Sequence, residues 1–257
     1  MIPKIIHYCW FGRNPKPDLA YRCIESWKKY CADYEIMEWN EDNFDIATAP
    51  LYVRQAYEAG KWAFVTDYVR LWAMTAFGGI YMDTDVEVLK PLDPFLHHRA
   101  FSGFENATDI PTGIMACEKD FPLFQMLLRY YDDAVFFLPD GTTNLVTNVA
   151  TITRLCLEKG LVQNNTYQEI DGLALYPKEF FCPISYMTNQ MEQTENTVTI
   201  HWFSGSWKDD KIRADEQALG RRLTLRHNLT HIPHRILRTI LGVQRYEKLK
   251  SMLRKSK

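Results

Sequence analysis

The 257-residue chain lacks most of the features that reveal a function at a glance. It has no C-x-x-C pair. Its six cysteines, Cys9, Cys23, Cys31, Cys117, Cys156 and Cys182, are scattered. That argues against a disulfide framework or a thiolate zinc site and favours a reducing compartment. No run approaches the ~18 apolar residues that span a bilayer, and the opening MIPKIIHYCWFG is too short and too mixed for a secretory leader. A cytoplasmic location is therefore expected. Internal repeats, low-complexity segments and a convincing linker are all missing. The net charge is only −2, and a nucleic-acid partner is not expected.

What is present is an ordinary globular composition, with aromatics at 14%, high enough to suggest sites that stack rings or sugars, although plain core would also account for them. The length allows one large α/β domain or two small ones. IPKIIHYCWFG reads as a first buried strand. DLAYRCIESWKKYC has helical spacing after a Pro-Asp start, and YEIMEWN is a second short strand. Residues 50–60 look helical and end at Gly60. WAFVTDYVRLWAMTAFGG is a stronger helix closed by Gly78-Gly79. The order strand–helix–strand–helix–strand predicts an α/β fold with parallel strands. Further strands are expected at RAFSGFE, TGIMACE and TVTIHWFSGSW, and helices over 121–133 and 143–158.

The third strand, within GGIYMDTDVEVLKP (78–91), carries the most chemistry. Side chains alternate along a strand, so Tyr81, Asp83, Asp85 and Glu87 are predicted to share one face and Ile80, Met82, Thr84, Val86 and Val88 the other. Two carboxylates about 6.6 Å apart at Cα repel by roughly 2.5 kcal/mol at an effective dielectric near 20. A divalent cation is the natural compensation, because hard cations take carboxylate oxygens. On this reading Asp85→Ala relieves repulsion. On the preceding helix, Asp67 and Arg70 stand at i and i+3 and share a face. Alone they would be an ordinary intrahelical ion pair, but their helix leads straight into the acidic strand. His201, at the end of a late apolar strand and before SGSW (204–207), is a candidate metal ligand. Trp10 closes the first strand and could stack on a base or belong to the core, and Gly12 would let backbone approach a ligand.

Together, IPKIIHYCWFG, DYVRLWAMTAFGGIYMDTDVEVLKPL and HWFSGSW resemble the DXD sugar-binding glycosyltransferases of family 32. These OCH1-like enzymes occur in bacterial capsule and surface-polysaccharide loci. The pattern is also similar to the glucosyltransferase domain of large clostridial toxins. The resemblance covers residues 1 to about 95 and about 195 to 210. It implies a GT-A type, Rossmann-like nucleotide-sugar-binding fold and a nucleotide-sugar donor, with a UDP-sugar favoured. It also implies Mn²⁺ or Mg²⁺ as the metal, retention of anomeric configuration, and a saccharide or lipid-linked saccharide acceptor. By position, Trp10 would stack on the base, and Asp67 and Arg70 would bind ribose and donor-sugar hydroxyls. Asp83 would hold the ribose and take part in metal binding, with Asp85 and His201 as metal ligands. Ser206 and Trp207 would touch the diphosphate.

Two other readings of the same residues stand beside this one. IYMDTDVEV also resembles the nucleophile strand of haloacid-dehalogenase-type phosphatases, but no G-D-x-x-x-D motif follows it. A non-catalytic nucleotide-sugar or carbohydrate-binding module is the other. The domain boundary is placed after residue 210, with 211–257 as a basic helical extension. From Arg221 to Lys257 there are eleven Lys/Arg and one acid, Glu247. Ile236, Leu237, Ile240, Leu241, Leu249, Met252 and Leu253 are interleaved with them, partly at helical spacing. This tail is expected either to pack on the domain or to make peripheral contact with an anionic membrane surface.

Overall fold

The computed structural model describes residues 1–185 and 190–205. Its first element, β1 (Ile5–Cys9), is buried along almost its whole length. α1 (Asp18–Tyr30) starts after Pro17, with Asp18 in its first turn and Lys28 and Lys29 in its last. Charges so placed oppose the helix dipole favourably at both ends. Ala20, Cys23, Ile24 and Trp27 form its buried stripe. β2 (Glu35–Trp39), α2 (Leu51–Glu58) and α3 (Trp62–Phe77) follow, and then β3 (Gly79–Met82).

β1 pairs in parallel with β2 on one side and with β3 on the other, with His7 opposite Tyr81. This 2-1-3 order places a topological switch point between β1 and β3. Open α/β sheets bind ligands in the crevice beyond the carboxyl ends of the strands at such a point. The Rossmann-like half expected from the sequence is therefore present.

The sheet is mixed, not parallel throughout. β5 (Ala100–Gly103), β6 (Ile114–Cys117), β7 (Gln168–Ile170) and β8 (Leu173–Tyr176) extend it in the order β2-β1-β3-β6-β5-β8-β7. β6 runs antiparallel to both β3 and β5. An apolar run reads the same in either direction, so pattern alone gave β6 its existence but not its sense. α4 (Pro122–Arg129), α5 (Asn148–Glu158) and the short α6 (Lys178–Phe181) complete the helices. One core cluster joins α2, α3, α4 and α5 to one face of the sheet, and a second joins α1 and α6 to the other. All six cysteines are buried and free, as the scattered spacing predicted.

A second correction concerns the acidic strand. It is not continuous: β3 ends at Met82, and β4 (Val86–Val88) belongs to a separate two-stranded ribbon with β9 (Thr199–His201). Residues 83–85 form the turn between them, closed by the Val86 N–H donating to Asp83 O at 2.9 Å. α1 clamps the ribbon, because Trp27 Nε1 donates to Val86 O and Val88 N donates to Ser26 Oγ. Among the described residues no helix is long and apolar enough to cross a membrane. The described residues all fall in one compact unit, while Ser206, Trp207 and the basic extension lie outside them.

Candidate active site

The Gly78-Gly79 turn creates the site. Both glycines have left-handed φ, +69° and +108°, and a Cβ on either would come within 2.6–2.7 Å of backbone atoms of Lys119 or Ile5. The chain therefore reverses sharply from α3 into β3. Arg70 lies eight residues before Gly78, about 12 Å along a helix. Asp83 lies four residues after Gly79, about 13 Å along a strand. The two lengths match, and the reversal brings Arg70 alongside Asp83.

Arg70 and Asp67 are both buried. Arg70 Nη2 stands 3.4 Å from Asp67 Oδ1 and 3.4 Å from Asp83 Oδ1. Its Nη1 donates to Thr112 O at 2.7 Å, and its guanidinium lies 4.7 Å from the centre of the Tyr81 ring. Tyr81 OH donates to Asp83 Oδ1 at 2.9 Å. Arg70 thus bridges two carboxylates instead of making a lone intrahelical pair. Burial pushes the Asp67 carboxyl up to about 6, with Arg70 pulling it down and Asp83 pushing it further up. Asn148 Nδ2 donates to Asp67 O at 2.7 Å, and Asn148 accepts from Tyr131 OH, which fixes α5 to this part of α3.

Asp85 is held from the opposite side. His201 Nε2 lies 3.2 Å from Asp85 Oδ1 and 4.0 Å from Asp83 Oδ2. Ser204 N–H and Oγ–H both donate to Asp85 Oδ2, at 2.8 and 2.9 Å. Burial favours the neutral carboxyl, but the charge and hydrogen bond of His201, with the Ser204 bonds, hold Asp85 well below the usual carboxylate range. Burial lowers His201, but Asp85 outweighs it and holds the imidazole proton well above its ordinary value.

The expected repulsion between the carboxylates is therefore already compensated. An opposite charge at 3.4 Å is worth about 5 kcal/mol at an effective dielectric of 20, before desolvation, against roughly 2.5 kcal/mol of repulsion. The idea that Asp85→Ala relieves strain is overturned, since the change would strip His201 and Ser204 of their partner. Glu87, predicted on the same face, lies apart and accepts from Trp202 Nε1 at 2.9 Å.

The donor set still fits a divalent cation. Asp83, Asp85 and His201 each present a ligand atom, and these atoms lie within 4.8 Å of one another. His201 Nδ1 is buried without a hydrogen-bond partner among the described residues. Two carboxylates and an imidazole suit Mn²⁺ or Mg²⁺ by ligand type.

Trp10 follows β1 instead of ending it. It is partly exposed, beyond the carboxyl end of β1 as Asp83 is beyond that of the parallel β3, with Nε1 donating to Asn14 O and the Lys16 ammonium 5.9 Å from its ring. At Gly12 φ is +91°, and a Cβ there would sit 2.6 Å from the Trp62 ring, so backbone conformation and packing both call for glycine. Sequence reasoning missed Tyr81 as an Asp83 donor, Asn148 and the Thr112-Gly113 segment. No motif marks Asn148. Ser204 lay in the SGSW cluster, but its partner, 119 residues away, did not show.

Residues 17–102 match the family described as "Glycosyltransferase sugar-binding region containing DXD motif". "Inositol phosphoceramide mannosyltransferase 3" of Schizosaccharomyces pombe is 30% identical over 131 residues, covering 50% of this chain and 36% of that protein. The matched region thus spans about a third of the curated relative's length. Among solved structures, "PaToxG Glycosyltransferase" is similar at 20% identity and a TM-score of 0.41, over 50% of this chain and 59% of that one. A glycosyltransferase involved in glycosylation of the major capsid of PBCV-1 is similar at 13% identity and a TM-score of 0.43, over 83% and 97%. The galactosyltransferase LgtC, in complex with donor and acceptor sugar analogues, is similar at 14% identity and a TM-score of 0.40, over 84% and 94%. All three scores are below 0.5, so the fold is characterised by the sheet order above and not by these likenesses. Residues 17–102, the stretch that carries α1, α3, β3 and the Asp83-Thr84-Asp85 turn, are thus similar to a glycosyltransferase sugar-binding region containing a DXD motif.

Proposed function

We propose that the protein transfers a hexose or N-acetylhexosamine from a nucleotide sugar to a saccharide or lipid-linked saccharide acceptor, with retention of configuration. The observation that carries the reading is the convergence of Asp83, Asp85 and His201 with Arg70 and Asp67 at the switch point between β1 and β3. Asp83, Asp85 and His201 would hold Mn²⁺ or Mg²⁺. The cation, when bound, offsets the negative charge that builds on the leaving diphosphate.

The chain's own residues do the rest. Trp10 offers a ring face for the base. Arg70 and Asp67 present a cation and a carboxyl to sugar hydroxyls, and their burial raises the strength of each contact. Tyr81 and Thr112 fix Asp83 and Arg70 before substrate arrives, which is preorganisation. The sugar passes through an oxocarbenium-like state. A front-face substitution is proposed, in keeping with the retaining families that the sequence resembles. UDP-sugars are the favoured donors. The mannosyltransferase relative supports a second reading, a mannosyl donor. The basic extension is proposed to touch the inner face of a membrane where a lipid-linked acceptor would lie, a proposal resting on sequence alone.

A panel of UDP- and GDP-sugars, assayed for hydrolysis and transfer with Mn²⁺ and with EDTA, tests the reading. Metal-dependent release of sugar from one donor supports it. Phosphate release from phosphomonoesters without sugar transfer would favour the phosphatase alternative, and no turnover of any donor would favour the binding module. Trp10→Ala should weaken nucleotide binding by ~1–3 kcal/mol at unchanged thermal stability. Sedimentation with anionic liposomes of the full chain, but not of a chain cut after Thr230, supports the membrane contact.

A further inference from the structure

Gly113 immediately precedes β6 and has no left-handed backbone that would call for glycine. What excludes a side chain there is space. A Cβ would lie 2.6 Å from His201 Cε1, 2.8 Å from His201 Nδ1 and 3.3 Å from Asp83 Oδ2. Real Cβ atoms do not come that close. The obstacle is the end of the His201 ring, not the backbone. A methyl at this position is therefore accommodated by moving His201. His201 is buried and tied to Asp85 at 3.2 Å, so it cannot move without changing its distance to both aspartates.

The same segment touches the rest of the site. Asp83 N–H donates to Gly113 O at 2.8 Å, and Arg70 Nη1 donates to Thr112 O at 2.7 Å. Residues 112–113 thus bear on Asp83, Arg70 and His201 at once.

We propose that Gly113 is a positioning residue of the metal site, its missing side chain setting how closely the His201 ring approaches Asp83 and Asp85. The proposal rests on the metal reading of that cluster. Gly113 itself touches no substrate and acts through His201.

The test uses the full chain and Mn²⁺ alone. Gly113→Ala is expected to weaken Mn²⁺ binding at least tenfold by calorimetry or electron paramagnetic resonance. It should raise the Mn²⁺ concentration for half-maximal activity by a similar factor while kcat at saturating Mn²⁺ largely recovers, a split that a loss of folded protein would not give. Thermal midpoints in EDTA supply a readout that needs no metal. Gly113→Ala should lower the midpoint when His201 is present and leave it unchanged in a His201→Ala background, where the space is vacant. Mn²⁺ affinity equal to wild type would overturn the proposal. So would an equal drop in midpoint in both backgrounds, or a Gly113→Ala chain that misfolds and is not rescued by His201→Ala. A wild-type chain that binds no Mn²⁺ would instead sink the proposed function, and the EDTA cycle alone would then decide the role of Gly113.

Discussion

Asp83 and Asp85 are two positions apart, yet different parts of the molecule hold them. Asp83 belongs to the end of the main sheet. Its partners, Arg70 and Tyr81, come from α3 and β3 within fourteen residues of chain, and both are buried in the central core. Asp85 belongs to the ribbon. Its partners, His201 at the end of β9 and Ser204 just beyond it, come more than a hundred residues later. The half built on the main sheet is local in sequence and rigid by packing. The ribbon half is assembled from distant segments and depends on each contact being made. A DXD motif read as one unit is therefore two anchorages that meet at a turn.

This contrast is tested most sharply by Asp85→Ala. Removing one partner of a buried pair costs about 3–5 kcal/mol, so urea unfolding in EDTA should show a stability loss on the order of 3 kcal/mol. Turnover should fall on the order of a thousandfold. A variant as stable as wild type would mean that the ribbon does not rely on this pair.

Asp67→Asn probes the main-sheet half, with the opposite sign for stability. Burial raises the Asp67 carboxyl from 3.8 to about 6, against the pull of Arg70. The folded chain thus keeps a proton that the unfolded chain releases above 3.8. The associated stability is complete below that value and is lost as pH rises through about 6. Above it the ionised group costs about 3 kcal/mol. Asp67→Asn should therefore unfold about 1–3 kcal/mol later than wild type at pH 8, with the gap closing by pH 4, while turnover falls by orders of magnitude. Equal stability at both pH values would show that the buried carboxyl carries no such cost.

The proton on His201 makes the ribbon half sensitive to pH in a different way. Asp85 keeps the imidazole protonated in the metal-free protein, and a ligating imidazole must be neutral. Mn²⁺ binding should release about one proton and tighten by up to tenfold per pH unit near neutrality. Calorimetry in two buffers of different ionisation enthalpy measures this directly, and a pH-independent affinity would remove His201 from the ligand set. Ser204→Ala should have the smallest effect. It removes one of the two donors to Asp85 Oδ2 and leaves the backbone N–H in place, costing about 1–2 kcal/mol in stability and no more than about tenfold in Mn²⁺ affinity. A larger loss would show that the hydroxyl, not the backbone, orients the carboxylate.

The same division explains what could be read from the sequence. α1, β2, α2 and α3 were legible because each shows its own periodicity and its own stop, as Gly78-Gly79 does for α3. Asp67, Arg70, Asp83 and Asp85 were legible as a set because the helix and strand that carry them are consecutive. The break of the acidic strand was not. Val86 and Val88 continue the apolar alternation of Ile80 and Met82, and only pairing with β9 reveals a second sheet. The cations that neutralise the aspartates were half visible. Arg70 lies nearby, whereas the contact of His201 with Asp85 depends on a fold that brings residue 201 opposite residue 86. The β7–β8 hairpin carried a readable sign, Asp171-Gly172, both with positive φ. An Asp-Gly between apolar runs is a strong hairpin signal.

The long span between Asp85 and its partners also sets an order of events during synthesis. Domains fold as the chain emerges, at about 5–20 residues per second, and non-local contacts wait until both ends are available. The sheet from β1 to β3, with Arg70 against Asp83, can form once the chain through Asp83 has left the ribosome. Asp85 must wait for His201 and Ser204. Until then a nascent chain presents two neighbouring carboxylates, of which the first has its counter-charge and the second has none. A nascent chain that has not yet reached His201 is thus more acidic at this turn than the finished protein, and the candidate metal site closes only as the ribbon does.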